Sequence, residues 1–238
     1  MKKLLPLFCA ISCISQTALA DNSIDTLQNL GQAEFRAFSE DLGSALSYKP
    51  VTPAAPLGIT GFDVGLELSA TEMKKSSNIW AKASGSSLDT LYIPKLHIAK
   101  GLPFGLDVAA FISTIPTTNI TLYGADLRYA LLEGGVAMPA VSVRGAFTRL
   151  SGVSQLGVHT ESVDVSISKG FVMFTPYAGI GQVWTTSTPH GVPLAGEKFS
   201  QSKMFLGGNL NMGLVNFAVE FDQTGAAKTM SGKIGARF

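Results

Sequence analysis

Beyond Gly58 the chain is a succession of alternating segments. In the first, 60–72, Phe62, Val64, Leu66, Leu68 and Ala70 fall on one face, and Gly61, Asp63, Gly65, Glu67 and Ser69 on the other. A period of two belongs to a strand whose sides meet different media. Nine more segments repeat it, at 88–100, 105–115, 119–132, 139–151, 155–169, 172–185, 200–213, 216–224 and 229–238. Apolar rows such as Leu106, Val108, Ala110 and Ile112 stand opposite polar ones such as Asp126 and Arg128, or Ser142 and Arg144. The segment 172–185 shows no clear face, and its register stays open. The last segment carries Met230, Gly232, Ile234, Ala236 and Phe238 on one side, so the chain ends on a large ring where ordinary domains fray.

Before the alternation the period is helical. Ile24, Leu27, Leu30, Phe35, Phe38, Leu42 and Leu46 recur mostly three or four apart, with Glu34, Arg36, Glu40 and Asp41 between them, which predicts one amphipathic helix. Lys49-Pro50, then Pro53, Pro56 and Gly58, end it and make a stiff connector. The expected division is a leader at 1–20, a helix and Pro-rich connector at 21–58, and strands at 59–238. The gaps between strands also alternate. Those at 73–87, 116–118, 152–154, 186–199 and 225–228 share one end and include two long ones, whereas those at 133–138, 170–171 and 214–215 are tight. Membrane barrels have this asymmetry, with short periplasmic turns and longer external loops.

Composition narrows the picture. Charged residues make up 15% of the chain, against roughly 25% in soluble domains. Lys2, Lys3, the apolar run 4–14 and Ala18-Leu19-Ala20 read as a secretory signal peptide, with Asp21 as the expected mature N-terminus. Cys9 and Cys13 both fall within it, so no disulfide is expected; the alternative, a lipidated Cys13, rests on the poorer box Ala10-Ile11-Ser12-Cys13. Losing Lys2 and Lys3 leaves 16 Lys+Arg against 17 Asp+Glu and moves the formal charge from +1 to −1, which gives no reason to expect a nucleic-acid partner. No stretch after the leader reaches the roughly 18 apolar residues of a spanning helix, although 46% of the chain is hydrophobic. Apolar residues spread by alternation can cross a bilayer as a closed barrel, in which every backbone group is paired. A secreted β-sandwich or lipocalin also alternates, but it would cover its outside with charge, and the polar face here carries few lysines.

The leader, the alternation, the loop asymmetry and the final strand with Ile234, Ala236 and Phe238 resemble the Gram-negative outer-membrane β-barrel proteins. The resemblance implies an all-β fold, a transmembrane antiparallel β-barrel of about ten strands preceded by one N-terminal amphipathic helix, located in the cell outer membrane. It also implies outer-membrane lipid as surroundings and the barrel-assembly machinery as reader of the C-terminal strand. Lys233 and Ala236 depart from that family's terminal signal, replacing its usual glycine and second aromatic. Trp80, Tyr92, Tyr123, Tyr129, Tyr177, Trp184 and Phe238 are expected at the membrane interfaces.

Candidate chemistry lies on the polar face. Lys95, His97, Asp107, Asp126, Arg128, Arg144, Asp164, Glu220, Asp222, Lys233 and Arg237, with Asp63 and Glu67, are expected to point into the lumen. A ten-stranded barrel is little wider inside than its own side chains, so these groups form either a network of ion pairs or a narrow polar conduit. The helix is expected on the periplasmic side, lying on the inner leaflet or corking the lumen from below. Similar arrangements occur in lipid A palmitoyltransferases, with a helix before a smaller barrel, and in fatty-acid channels plugged by N-terminal residues. His159 and Glu161 share a face, but the His-x-Ser of lipid A deacylases reads His159-Thr160-Glu161 here, without the attacking hydroxyl, and no catalytic residue is assigned. No metal or cofactor is expected. The reading that follows is a small channel or binding barrel for a small or amphiphilic solute. The alternatives are a structural or surface-interaction barrel acting through the loops 73–87 and 186–199, and, more remotely, a lipid A-modifying enzyme.

Overall fold

Ten antiparallel strands follow one another around a closed ring: β1 (Phe62–Glu72), β2 (Thr90–Gly101), β3 (Leu106–Thr114), β4 (Thr121–Leu132), β5 (Ala140–Ser151), β6 (Leu156–Ser168), β7 (Phe174–Pro189), β8 (Glu197–Met212), β9 (Val215–Thr224) and β10 (Ala227–Arg237). This computed structural model describes Ile24 and residues 26–84, 87–114 and 120–238. The leader expected at 1–20, with Cys9 and Cys13, lies outside the described residues, as does the gap 116–118. Closure falls between β1 and β10, in register from Asp63↔Arg237 to Thr71↔Thr229. The terminal residue completes it: the Phe62 N–H donates to the Phe238 carbonyl at 2.7 Å, and the Phe238 N–H donates back at 3.0 Å. The closing aromatic therefore seals the last backbone edge, where an open strand would otherwise present unpaired groups.

The outer wall is apolar. Leu66, Leu96, Leu127, Val165, Ile180, Met204, Leu206, Phe221 and Ile234 all point away from the ring and stay exposed, whereas Asp63, Glu67, Lys95, Asp107, Arg128, Arg144, Asp164, Glu220, Asp222 and Lys233 are buried within it. Water would leave that distribution inside out, and hydrocarbon makes it favourable. The register of β7 is now defined. Tyr177, Val183, Thr185 and Ser187 face inward, and Ala178, Ile180 and Trp184 outward. Its weak pattern has a steric cause: a Cβ at Gly179 would lie 2.3 Å from the Phe205 ring, and one at Gly207 would lie 2.4 Å from the Tyr177 ring. Glycines occupy inward positions because neighbouring rings fill their space. Tyr177 is consequently 4% exposed inside the barrel rather than at an interface.

Two long gaps differ from expectation. Half of the gap 186–199 is strand, because β7 continues to Pro189 and β8 starts at Glu197; Thr186, Ser187 and Thr188 extend the hairpin. The gap 73–87 holds a helix, α2 (Ser77–Ser84). Trp80 in α2 is 3% exposed and stacks 4.8 Å, centroid to centroid, from Phe38, so it is a core residue and not an interface aromatic. The apolar face formed by Ile79, Trp80 and Ala83 is covered by the N-terminal segment.

That segment is the largest departure. A 3-10 turn (Leu27–Asn29) and α1 (Gln32–Leu46) lie in the mouth of the barrel at the end with the long loops, not at the end where β1 begins. Extended chain reaches about 3.3 Å per residue, so the proline-rich stretch 47–58 has ample length to cross a hydrocarbon layer of roughly 25–30 Å. It runs down the lumen, turns at Gly58, whose φ is +77°, and enters β1. A helix preceding the first strand is therefore not bound to that strand's side of the membrane.

Candidate functional site

The lumen has two zones, and the N-terminal segment fits both. At the long-loop end, Ile93, Phe111, Leu122, Leu150, Leu156 and Val158 line an apolar chamber occupied by Phe35, Phe38, Leu42 and Leu46 of α1. Space for the helix comes from small inward side chains, among them Ser162, Thr185 and Ser187, and from Gly43, where a Cβ would stand 2.6 Å from Thr185. The interior is thus wider than a wall of large side chains would leave. Ser39 donates to the Ser187 hydroxyl at 2.9 Å, and Ser44 donates to the Thr224 carbonyl at 3.0 Å.

Below the helix the lumen is ionic. Seven wall carboxylates, Asp63, Glu67, Asp107, Asp126, Asp164, Glu220 and Asp222, meet six wall cations, Lys95, Arg128, Arg144, Lys203, Lys233 and Arg237. Lys95 contacts Glu67 at 2.6 Å, Lys233 contacts Asp63 at 2.8 Å and Arg237 lies 3.6 Å from the same carboxylate. Arg128 Nε donates to Asp107 at 3.0 Å, and Arg144 Nε lies 3.2 Å from Asp126. His97 lies 3.4 Å from the Tyr48 hydroxyl. The predicted polar residues thus converge in one interior. Pairing suits that setting, because an uncompensated buried charge costs several kcal/mol.

Two cations escaped the sequence reading. Lys203 was legible, since it alternates with the outward Met204 and Leu206; its ammonium lies 3.9 Å from Asp164 and 4.0 Å from Asp222. Lys49 had no such signal, because a connector has no period. Its buried ammonium contacts Asp222 at 3.1 Å and donates to the Ser44 carbonyl at 2.8 Å.

The connector descends as a ladder. Pro50, Pro53 and Pro56 have no N–H to satisfy. Of the others, Val51 donates to Glu220 at 3.0 Å, Ala54 to the Ser168 hydroxyl at 3.1 Å and Leu57 to Asp107 at 3.0 Å. In return Lys203 donates to the Tyr48 carbonyl at 2.7 Å, Arg128 to the Pro53 carbonyl, and Arg237 to the Thr52 hydroxyl at 2.9 Å. Val51 sits at φ +42°, a conformation that β-branched residues rarely adopt. Such strain stores on the order of 1–3 kcal/mol and persists while surrounding contacts enforce it.

Ion pairs fasten the mouth. Glu34 binds Lys82, Glu40 binds Lys75 and Arg36, and Arg36 also reaches Glu197 at 3.0 Å. Asp41 accepts from the Lys75 and Ser76 N–H groups at 2.7 and 2.9 Å, securing the approach to α2. The hydrogen bond from Lys82, with one from the Gly31 N–H, holds the Glu34 carboxyl below its ordinary value of 4.5. Burial raises Glu40, but hydrogen bonds from Lys75 and Arg36 outweigh it and leave its pKa lowered from 4.5. Asp41 is raised, because burial outweighs its hydrogen bonds. For Glu34 and Glu40 the seated-state pKa lies below the free one, so their stabilisation is present above about pH 4.5 and is lost as pH falls through the lowered values. Asp41 works in the opposite sense and softens the effect. Acidification below about pH 4.5 is expected to loosen the mouth, read as faster protease cleavage within 26–46 of detergent-solubilised protein, with Glu40→Gln showing a smaller pH dependence.

The remaining candidates lie elsewhere. Tyr92, Tyr123, Tyr129, Trp184 and Phe238 are exposed on the outer wall. His159 and Glu161 also face outward, with the His159 ring 6.2 Å from Phe147, while Ser162 points inward. Ser162 thus lies on the opposite face of β6 from the imidazole.

A closed antiparallel ring, apolar outside and charged inside, is a transmembrane β-barrel, and this chain is one of the outer-membrane type. No protein-family model matches the sequence, and no curated protein matches it. The chain is similar to several solved outer-membrane proteins. The N-terminal β-barrel domain of Pseudomonas aeruginosa OprF is 13% identical over 73% of this chain and 97% of its own, with a TM-score of 0.39. The outer membrane protein OprG from Pseudomonas aeruginosa is 12% identical over 79% and 99%, with a TM-score of 0.33. Ail, the attachment invasion locus protein of Yersinia pestis, is 10% identical over 75% and 99%, with a TM-score of 0.32.

Proposed function

We propose that this protein is a gated barrel for small or amphiphilic solutes, closed by its own residues 26–57. The observation that carries the reading is the course of that segment, which fills the lumen from the long-loop mouth to the opposite end while adding no strand to the wall. Its attachment is reversible in kind. A buried Phe or Leu contributes roughly 1.5–3 kcal/mol, whereas ordering each residue costs about 1–2 kcal/mol. The apolar anchors of α1 therefore leave no large surplus, and the polar ladder decides whether the segment stays. An apolar chamber above an ionic floor is the lining an amphiphile requires.

A disulfide tests the reading. Ser39 and Ser187 face each other at 2.9 Å between hydroxyls, and Ser39→Cys/Ser187→Cys in the full chain fixes α1 to β7 when oxidised. The oxidised protein is expected to be silent in planar bilayers and the reduced protein to show openings. Silence under both conditions, at low pH as well, would refute transport and leave a barrel acting through its surface.

A further inference from the structure

The ionic floor is not evenly balanced. Around most of the ring each carboxylate has its cation within the wall: Glu67 has Lys95, Asp107 has Arg128, Asp126 has Arg144, and Asp63 has both Lys233 and Arg237. The sector formed by β6, β8 and β9 differs. There Asp164, Glu220 and Asp222 share one wall ammonium, that of Lys203, which approaches no closer than 3.9 Å, and Asp164 also faces the guanidinium that Arg144 of β5 shares with Asp126. The missing charge comes from the plug, whose Lys49 reaches Asp222 at 3.1 Å with both side chains essentially inaccessible. The Val51 N–H occupies the second oxygen of Glu220.

Three oxygens in this sector, Asp164 Oδ1, Glu220 Oε1 and Asp222 Oδ2, are buried and have no hydrogen-bond partner among the described residues. Buried carboxylate oxygens in that state are costly and attract any donor that can reach them. With the plug seated, the floor holds seven carboxylates and seven cations; with Lys49 withdrawn, it holds one carboxylate more than cations. That excess is concentrated in one sector of the wall.

We infer that the open lumen selects cations, with Asp164, Glu220 and Asp222 as the selecting residues, and that Lys49 stands in the closed state where the ammonium of a solute binds in the open one. The solute class is a small organic cation, a primary or substituted amine with an apolar portion suited to the chamber above. This rests on the gated-barrel reading and adds the sign of charge to it. In a narrow, water-poor passage one fixed charge dominates which ion enters. The wall cations elsewhere do not cancel the effect: the one in surplus is held with its neighbour at Asp63, and Arg144, which faces Asp164 from β5, is shared with Asp126.

The full chain carrying Ser39→Cys/Ser187→Cys, reduced after insertion, is placed in a potassium chloride gradient and the reversal potential is measured. Potassium is expected to permeate severalfold faster than chloride, and Glu220→Gln/Asp222→Asn in the same chain is expected to bring the ratio close to unity. Conductance with chloride preferred, or with a ratio unmoved by neutralising the two acids, overturns the inference while leaving the gated barrel standing. Complete silence instead removes the gated barrel, and the inference is then judged by entry alone. Ser166→Cys, buried on β6 beside Asp164, is placed in the Gly43→Leu chain and labelled in detergent with a cationic and an anionic methanethiosulfonate. Faster modification by the cationic reagent, slowed when Glu220 and Asp222 are neutralised, supports cation selection. Equal rates, faster anionic entry or no entry of either reagent overturns it.

Discussion

Gly43→Leu is expected to turn a barrel that opens only transiently into one that conducts persistently. A Cβ at position 43 would stand 2.6 Å from both Thr185 Cγ2 and Thr185 Oγ1, and leucine adds three more carbons in the same direction. Thr185 cannot retreat, because it is a buried, β-branched wall residue whose backbone is tied to both neighbouring strands. The helix must move as a body. Leucine is the better helix former by nearly 1 kcal/mol, so α1 is expected to keep its helicity while losing its seat. That combination separates unseating from simple unfolding. Longer-lived openings in refolded Gly43→Leu than in the native chain, with the strands still protease-resistant, are the expected result. A silent variant whose Ser39→Cys and Ser187→Cys partners still cross-link at the original rate would mean that the seat is not where the structure puts it.

Lys49→Met has the second large effect, through charge rather than shape. Both partners of the Lys49–Asp222 pair are essentially inaccessible, and removing one partner of a buried pair costs about 3–5 kcal/mol because the other is left uncompensated. The Ser47 hydroxyl loses its donor as well, and the Ser44 carbonyl loses one of two. A change of that size shifts the seated-to-released ratio by about a hundredfold or more. The expected readout is rapid protease cleavage within 26–57, with the strands resistant. Asp222→Asn in the same chain removes the orphaned charge and is expected to recover much of the loss. Lys49→Met alone cleaved no faster than the native chain would show that the pair does not hold the plug.

These two effects also show what could be read without a structure. The wall was legible because bilayer and lumen impose opposite chemistry on adjacent residues, and Phe62 to Glu72 alternates for that reason. Segment β7 was not, since Gly179 and Gly181 sit inward to admit Phe205 and the backbone of β6, leaving no side chain to mark the face. The plug lay furthest from view. The α1 stripe announces an apolar surface without saying which one, and Phe38 meets Trp80 of a loop helix as readily as it would meet lipid. Lys49, Val51 and Leu57 contact Asp222, Glu220 and Asp107 across fifty or more positions of chain, and connector residues have no period to betray such partners.

Amide hydrogen exchange on the full-length protein in detergent tests the central claim most directly. The N–H groups of Val51, Ala54 and Leu57 are held by Glu220, Ser168 and Asp107 deep in the barrel. They are expected to exchange orders of magnitude more slowly than free peptide amides, approaching those of β1, and to lose that protection in Gly43→Leu. Exchange of all three at the free-peptide rate in the native chain, with the strands protected, would show that the lumen is not where residues 26–57 reside.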